Sequence, residues 1–497
     1  MTAHGLPFNP DYAAFYHTKG LSIGGKWRPG SGGEFDVFNP ATGKVWAHAP
    51  DGTRADATAA IEAASEAQKS WAALPFHVRA DHLLKVADVL EKRRPDFVAA
   101  LTSECGGWIR KGMFETGYTP KVYRSAAAAA YLPTGETLAS DHNKTSVVER
   151  TPLGVISVIS PWNVPLLLSS RGLGVALAVG NTVVLKPSEE TPITGGLMIA
   201  EVFEEAGMPP GVLNVVTCSR DNVAAVGDEL VTNPLIKAIS FTGSTAVGRS
   251  IAATAGGLLK KACVELGGKD SLLVLDDADI DRAVHAARFG AFFHQGQICM
   301  SAEKIIVDAS LEDVFMTKFM AATQELGLGD PSQVENHLGP MINETQAAKV
   351  DARLAKARAD GVTFHAGGGR DGLFYQPTII TGATPQMEIF HEEVFGPVAN
   401  IIFAGDEDEA VALANDCQYG LSASIMTRDV ERGLRIARRI ESGMAHVNDT
   451  TIYDEPTVPF GGVKNSGLGR HGGRWSAETF TETRWFTVER GGRKTPF

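Results

Sequence analysis

Cys299 is the residue whose type and setting point most directly to covalent chemistry. It lies in Gly296-Gln297-Ile298-Cys299-Met300-Ser301, directly after Asp281 to His294, a segment that reads as helix. A helix followed by a small, polar break can leave a thiol accessible, and a thiolate is a strong nucleophile. An isolated cysteine is more often buried and inert, so Cys299 alone leaves both readings open. Glu265 closes an apolar run and precedes Leu266-Gly267-Gly268-Lys269-Asp270. Open α/β sheets place their ligands at the ends of parallel strands. A carboxylate desolvated there has a raised pKa and serves as a general base. The structural alternative is an ion pair with Lys269 or an arginine. Asn163, in Ser160-Pro161-Trp162-Asn163-Val164-Pro165, also follows an apolar run. Its amide can donate to a developing oxyanion, or it can simply turn the chain between two prolines.

Three further segments suit a dinucleotide. Lys186-Pro187-Ser188-Glu189 ends another apolar run, a position from which polar groups reach an adenosine ribose. Phe241-Thr242-Gly243-Ser244-Thr245-Ala246-Val247-Gly248 opens a helix. Ser244 is a good N-cap there, and amides at a helix start bind phosphate, although many such junctions only cap. Glu392-Glu393-Val394-Phe395-Gly396-Pro397 offers a carboxylate and a ring that could hold a ribose and a flat heterocycle. Alone it reads equally as a surface turn.

The elements that must position these residues are legible as alternating strands and helices. Short β-type runs with glycine turns lie between Gly20 and Pro50 and suggest a small sheet. Amphipathic spacing predicts helices over Ala55 to Leu74 and Arg79 to Arg93, and the alanine run Ala126 to Ala130 reads as helix. Apolar strands follow at Gly154 to Ser160, Thr182 to Lys186, Val212 to Val216, Ile236 to Phe241 and Lys261 to Glu265, with a helical segment in each gap. That pattern predicts a parallel sheet covered on both faces. A second α/β series runs through Ser271 to Leu275, Ile305 to Val307, Thr378 to Ile380, Ser422 to Met426 and Met444 to Val447. The tail carries one more strand, Arg484 to Val488, with no obvious partner in its own domain; such a strand often joins another subunit or domain.

Composition sets the frame. A chain of 497 residues has room for two to four domains and a large core. Its 44% hydrophobic and 21% charged residues describe a globular chain and not a disordered one. With 46 Lys+Arg against 58 Asp+Glu, the net charge is −12, which argues against nucleic acid or an anionic membrane as partner. The most apolar stretch, Leu153 to Leu185, is broken by prolines, asparagines and Arg171, so no membrane span is expected. No secretion signal is visible, and the five cysteines are odd in number and widely spaced, without C-x-x-C. A disulfide framework or a metal site is not expected, and a cytoplasmic, reducing location is.

Taken together, seven stretches in order resemble the aldehyde dehydrogenase superfamily. They are Pro161-Trp162-Asn163, Lys186-Pro187-Ser188-Glu189, Phe241 to Thr245, Glu265 to Lys269, Gly296 to Cys299, Glu393 to Pro397 and Pro459-Phe460-Gly461-Gly462-Val463-Lys464-Asn465-Ser466-Gly467. The resemblance runs from about Phe38 to Arg470. It implies an α/β subunit in three parts: a Rossmann-like parallel-sheet cofactor domain (1–129 and 153–264), a second α/β catalytic domain (265–468) and a small β oligomerisation arm (130–152 and 469–497). It implies a homodimer or homotetramer, a small-molecule aldehyde substrate, and NAD as cofactor. Glu189 favours NAD over NADP because a carboxylate repels a 2′-phosphate.

By the same resemblance, Cys299 is the nucleophile, Glu265 the base that hydrolyses a thioester, and Asn163 the oxyanion donor. Ser160, Trp162, Lys186, Ser188, Glu189, Gly243, Ser244, Gly267, Glu393 and Phe395 are expected to contact the cofactor. The motifs around Glu265, Cys299 and Phe114 to Pro120 look like the aromatic-aldehyde branch (benzaldehyde, vanillin and salicylaldehyde types). Tyr118, Val164, Leu167, Arg171, Ile298, Met300 and Phe460 are the expected pocket residues. Arg171 is open between meeting a ring substituent and forming a structural salt bridge. Other readings are an aliphatic or semialdehyde dehydrogenase of the same mechanism, a cofactor-independent thiol esterase, and a silent binding protein on the same fold. A CoA-acylating enzyme is disfavoured because a base is present at Glu265.

Overall fold

The computed structural model describes residues 5–140, 143–492 and 495–497. After the short helix α1 (Pro10–Ala14), the chain forms β1 (Leu21–Ile23), β2 (Lys26–Arg28), β3 (Glu34–Asn39) and β4 (Lys44–Pro50). These do not make the one small sheet that the sequence suggests. Only β3 and β4 pair on their own. The β1–β2 hairpin, turned by Gly24 and Gly25 at φ +61 and +74, instead extends the edge of a large sheet through Ser22 and Val215. Helices α2 (Arg54–Ala73), α3 (Phe76–Lys92), α4 (Arg94–Cys105) and α5 (Ile109–Ala129) follow, and β5 (Gly135–Leu138) and β6 (Lys144–Pro152) leave the body as a ribbon. Thr53 and Asp56 start α2 with a capping box. The alanine run closes α5 as predicted.

The large sheet is built by β7 (Val155–Ile159), α6 (Pro165–Ala178), β8 (Thr182–Lys186), α7 (Met198–Glu205), β9 (Leu213–Val215), α8 (Val223–Thr232), β10 (Ile236–Thr242), α9 (Thr245–Gly257) and β11 (Lys261–Glu265). Its five central strands are parallel in the order β9-β8-β7-β10-β11. The chain steps outward from β7 to β9, then returns to lay β10 on the other side of β7. That reversal opens a crevice between the carboxyl ends of β7 and β10, where ligands bind in such sheets. Gly172 lets α6 lie close on the sheet, since a Cβ there would sit 2.7 Å from Val158.

The second series gives β12 (Asp270–Val274), α10 (Ile280–Phe292), β13 (Ala302–Asp308), α11 (Glu312–Gln324), α12 (Glu344–Ala359), β14 (Thr363–Ala366), the hairpin β15 (Arg370–Asp371) and β16 (Phe374–Tyr375), β17 (Thr378–Thr381), α13 (Glu388–His391), β18 (Val398–Ala404), α14 (Glu407–Asn415), β19 (Ala423–Met426), α15 (Val430–Ala437) and β20 (His446–Val447). The sheet order is β14-β17-β18-β13-β12-β19-β20, parallel except at β14. β14 and β18 have no counterpart in the sequence reading.

The tail carries β21 (Gly467–Leu468), α16 (Gly473–Thr479) and β22 (Thr481–Glu489). β21 runs antiparallel to β11 and places Gly467 opposite Glu265. β22 finds its partner in the same chain: it pairs with β6 from Thr481 opposite Pro152 to Glu489 opposite Lys144, and β5 completes a three-stranded sheet. Among the described residues, no helix is long and apolar enough to cross a membrane.

Candidate active site

A cleft of about 730 Å³ opens at the crevice between β7 and β10 and is closed on its far side by α12 and the loop Glu392 to Phe395. Trp162 and Asn163 after β7, Gly243 and Ser244 after β10, and Glu265 at the end of β11 line it together with Cys299. A slightly larger groove, about 810 Å³, runs along the N-terminal segment. There Tyr16 and Arg93 are both bonded to Glu201, and no thiol lines that groove.

The chain delivers Cys299 by breaking α10. His294, Gln295 and Gly296 all adopt left-handed backbone, at φ 51, 58 and 68. Non-glycine residues hold that conformation only where the surroundings over-determine it. Here Gln295 Nε2 donates to the carbonyls of Gly106 and Pro340, and the Ile342 N–H donates to Gln297 Oε1. Asn163 is buried, and its Nδ2 donates to the Gln297 carbonyl at 2.9 Å. One amide proton is thus committed to holding the loop and the second is left for another acceptor. Cys299 itself is half-buried, whereas Cys105, Cys218 and Cys263 are buried. Cys417 is also half-buried but outside the cleft, with its sulfur beside the His391 carbonyl.

The electrostatics of the site are set by burial. Neither Glu265 carboxylate oxygen has a hydrogen-bond partner of good geometry, and burial pushes its pKa up to about 7. The neighbouring Cys299 thiol and Arg171 oppose that rise. Burial likewise raises the Cys299 thiol well above its usual value, and the nearby Glu265 and Asp270 charges add to the effect. Thiol and carboxyl therefore share a proton-holding site, in which one gives up its proton most easily when the other can take it. Lys269, the structural partner foreseen for Glu265, does not pair with it. Its ammonium is 2.8 Å from Glu303.

The structure brings most of the expected cofactor residues to the cleft: Trp162, Gly243, Ser244, Gly267, Glu393 and Phe395 all line it. Phe395 meets Trp162 edge-on, with centroids 5.5 Å apart. The Ser244 side chain makes no capping hydrogen bond to the first turn of α9. Glu393 Oε1 accepts from the Gly268 N–H at 2.9 Å, and burial raises the Glu393 pKa to about 8. A Cβ at Gly267 would sit 2.6 Å from Glu393 Oε2, so glycine is required for this approach. Lys186, Ser188 and Glu189 lie outside the lining, at the end of β8, with the buried Lys186 ammonium on the Pro187 carbonyl. The Ser160 hydroxyl faces α6 and is shared with Ser169 at 2.6 Å.

On the substrate side, Ile298, Met300 and Phe460 form one buried apolar cluster with Leu421, and Val164 and Cys299 pack against it. Leu167 is buried but outside that cluster, and its N–H donates to the buried Glu115. Tyr118 and Arg171 line a small recess beside Phe460. Arg171 forms an ion pair with Asp454, each side chain 9% exposed, and stacks 3.8 Å over the Phe460 ring. Of the two readings open for Arg171, the salt bridge is the one the structure forms. Its charge is paired with that of Asp454. Asp270, Asp454, Glu303 and Leu421 were missed because only tertiary packing brings them here.

A family model described as the aldehyde dehydrogenase family matches residues 27–486. The chain is 42% identical over 480 residues to a benzaldehyde dehydrogenase (NAD+) of Pseudomonas putida, covering 96% of this chain and 98% of that protein. It is 42% identical over 483 residues to a vanillin dehydrogenase of Corynebacterium glutamicum, covering 96% and 99%. The crystal structure of a salicylaldehyde dehydrogenase from Pseudomonas putida G7, complexed with salicylaldehyde, superposes with a TM-score of 0.94 at 39% identity, covering 97% of this chain and all of that one.

Proposed function

The chain belongs to the aldehyde dehydrogenase family, and we propose that it oxidises aromatic aldehydes to carboxylic acids with NAD⁺, using Cys299 as nucleophile and Glu265 as base. One observation carries the residue assignment: the cleft holds a thiol beside a buried carboxyl that has no partner of its own. A carboxyl near neutrality is suited to accept and return protons.

Glu265 takes the thiol proton, and the Cys299 thiolate adds to the aldehyde carbon. The uncommitted Asn163 N–H and the Cys299 backbone N–H donate to the resulting oxyanion. NAD⁺, when bound, supplies the hydride acceptor that turns the thiohemiacetal into a thioester. Glu265 releases the thiol proton to solvent and, ionised again, takes a proton from water; the hydroxide adds to the thioester carbonyl, and collapse releases the acid and the Cys299 thiolate.

The residues present fit a dinucleotide. The uncapped amides at the start of α9 suit a pyrophosphate, and the bare backbone at Gly267 lets the Glu393 carboxylate close on the cleft. Glu189 at the end of β8 supports NAD⁺ over NADP⁺. Arg220 stands 3.6 Å from Glu189 and also pairs with Glu190. The aromatic preference is supported by the apolar walls of Ile298, Met300 and Phe460 and by the names of the relatives.

A panel of aromatic, aliphatic and semialdehyde substrates, each with NAD⁺ and NADP⁺, tests the proposal. Aromatic aldehydes are expected to lead by at least about tenfold in kcat/KM, the scale of one or two good pocket contacts. An aliphatic preference would refute the substrate class and leave the reaction standing. Acid release without NADH would point instead to an esterase. Arg171→Ala is expected to lower kcat/KM equally for vanillin and benzaldehyde. A loss confined to vanillin would restore a phenol-reading role.

A further inference from the structure

We propose that Lys269 and Glu303 form a buried strut that holds the Glu393–Phe395 loop in its cofactor-binding position. The inference rests on the NAD⁺ reading above and adds two positioning residues to it. Glu303 stands four residues after Cys299, and Lys269 four residues after Glu265. The two meet at 2.8 Å with side chains only 3% and 1% exposed. The remaining capacity of the Glu303 carboxylate goes to the loop. Val394 N–H donates to both oxygens, at 3.1 and 2.8 Å, and Phe395 N–H donates to Oε1 at 2.9 Å.

The loop needs such a clamp. Phe395 is held at φ +53, a conformation an aromatic residue adopts only under constraint. Gln346 Nε2 adds a bond to the Phe395 carbonyl at 3.1 Å, and Glu393 binds the Gly268 amide next to Lys269. The turn Gly267-Gly268-Lys269 therefore grips the loop twice, once through Glu393 and once through the Lys269–Glu303 pair. The thiol segment also has bonds of its own that bypass this ion pair. Ser301 fixes it through its own N–H to the Ile298 carbonyl and its hydroxyl to the Gly296 carbonyl.

A merely structural ion pair would support cofactor binding and thiol reactivity alike, whereas a strut for the loop acts on the cofactor alone. The test uses Glu303→Gln and the double variant Lys269→Gln/Glu303→Gln. NAD⁺ affinity is measured by calorimetry, and the rate of Cys299 alkylation by iodoacetamide is measured without cofactor. Both variants are expected to bind NAD⁺ at least about tenfold more weakly, the scale of a displaced contact group, and to alkylate at the wild-type rate. Wild-type affinity in either variant would overturn the strut, as would a loss of thiol reactivity in step with the loss of affinity. A wild-type protein that fails to bind NAD⁺ would overturn the cofactor reading and this inference with it. If neither variant folds, hydrogen exchange in the wild type decides. The Val394 and Phe395 amides should exchange as slowly as those of β13, and fast exchange would overturn the proposal.

Discussion

The Glu265 carboxyl, with its pKa raised from 4.5 to about 7, binds a proton in the folded chain at pH values where the unfolded chain has released it. Stability must therefore fall as pH rises from about 4.5 to about 7. Glu265→Gln removes that penalty. It is expected to stabilise the protein at pH 8 by on the order of 3 kcal/mol, from 1.36 kcal/mol per unit, and to give little gain at pH 4.5. Thermal unfolding at the two pH values checks this. In the wild type, the hydrolytic step should rise with pH through about 7, because only the ionised carboxylate accepts a proton from water. Cys299→Ala is expected to abolish NADH formation, whereas Cys105→Ala and Cys417→Ala leave it; an assay at 340 nm distinguishes them. Cys299, Glu265 and Asn163 could be singled out in the sequence because Glu265 and Asn163 each follow an apolar run and Cys299 follows a helix ended by a small, polar break. The Lys269–Glu303 pair could not, because local sequence does not record which carboxylate a lysine meets across a turn.

At the scale of elements, the site depends on how closely two backbones approach. A Cβ at Gly268 would fall 2.2 Å from the Cys299 carbonyl oxygen, and backbone cannot swing aside as a side-chain tip can. Gly268→Ala is expected to lower kcat by about 100-fold, the effect of roughly 1 Å of misplacement. Gly227 in the middle of α8 has nothing within 4 Å of its notional Cβ, so Gly227→Ala should keep full activity and gain about 0.5–1 kcal/mol in helix propensity. Steady-state kinetics and denaturant unfolding of both variants test the contrast. The parallel strands were legible as continuous apolar runs because both faces of each sheet are covered. β18 was hidden by the buried Asn400 that interrupts its run. The attachment of β1 and β2 to the large sheet was hidden because three-residue strands carry almost no pattern.

At the scale of the whole molecule, the three-stranded arm is where a second copy of the chain is expected to dock. β22 is paired on one edge only, and Trp485 on it is 68% exposed. An open strand edge with an exposed indole suits pairing with another chain. We expect the protein to sediment as a homodimer or homotetramer. Removal of residues 481–497 would strip β6 of one of its two partners, leaving it paired with β5 alone, and is expected to leave monomer or aggregate. The central claim, that a Cys299 acyl intermediate is cleared by Glu265, meets its most direct test in the mass of the Glu265→Gln variant after mixing with benzaldehyde and NAD⁺. The account predicts a single benzoyl group on the Cys299 peptide with a matching burst of NADH and no further turnover. An unmodified Cys299 peptide, or steady benzoate release by the variant, would contradict it.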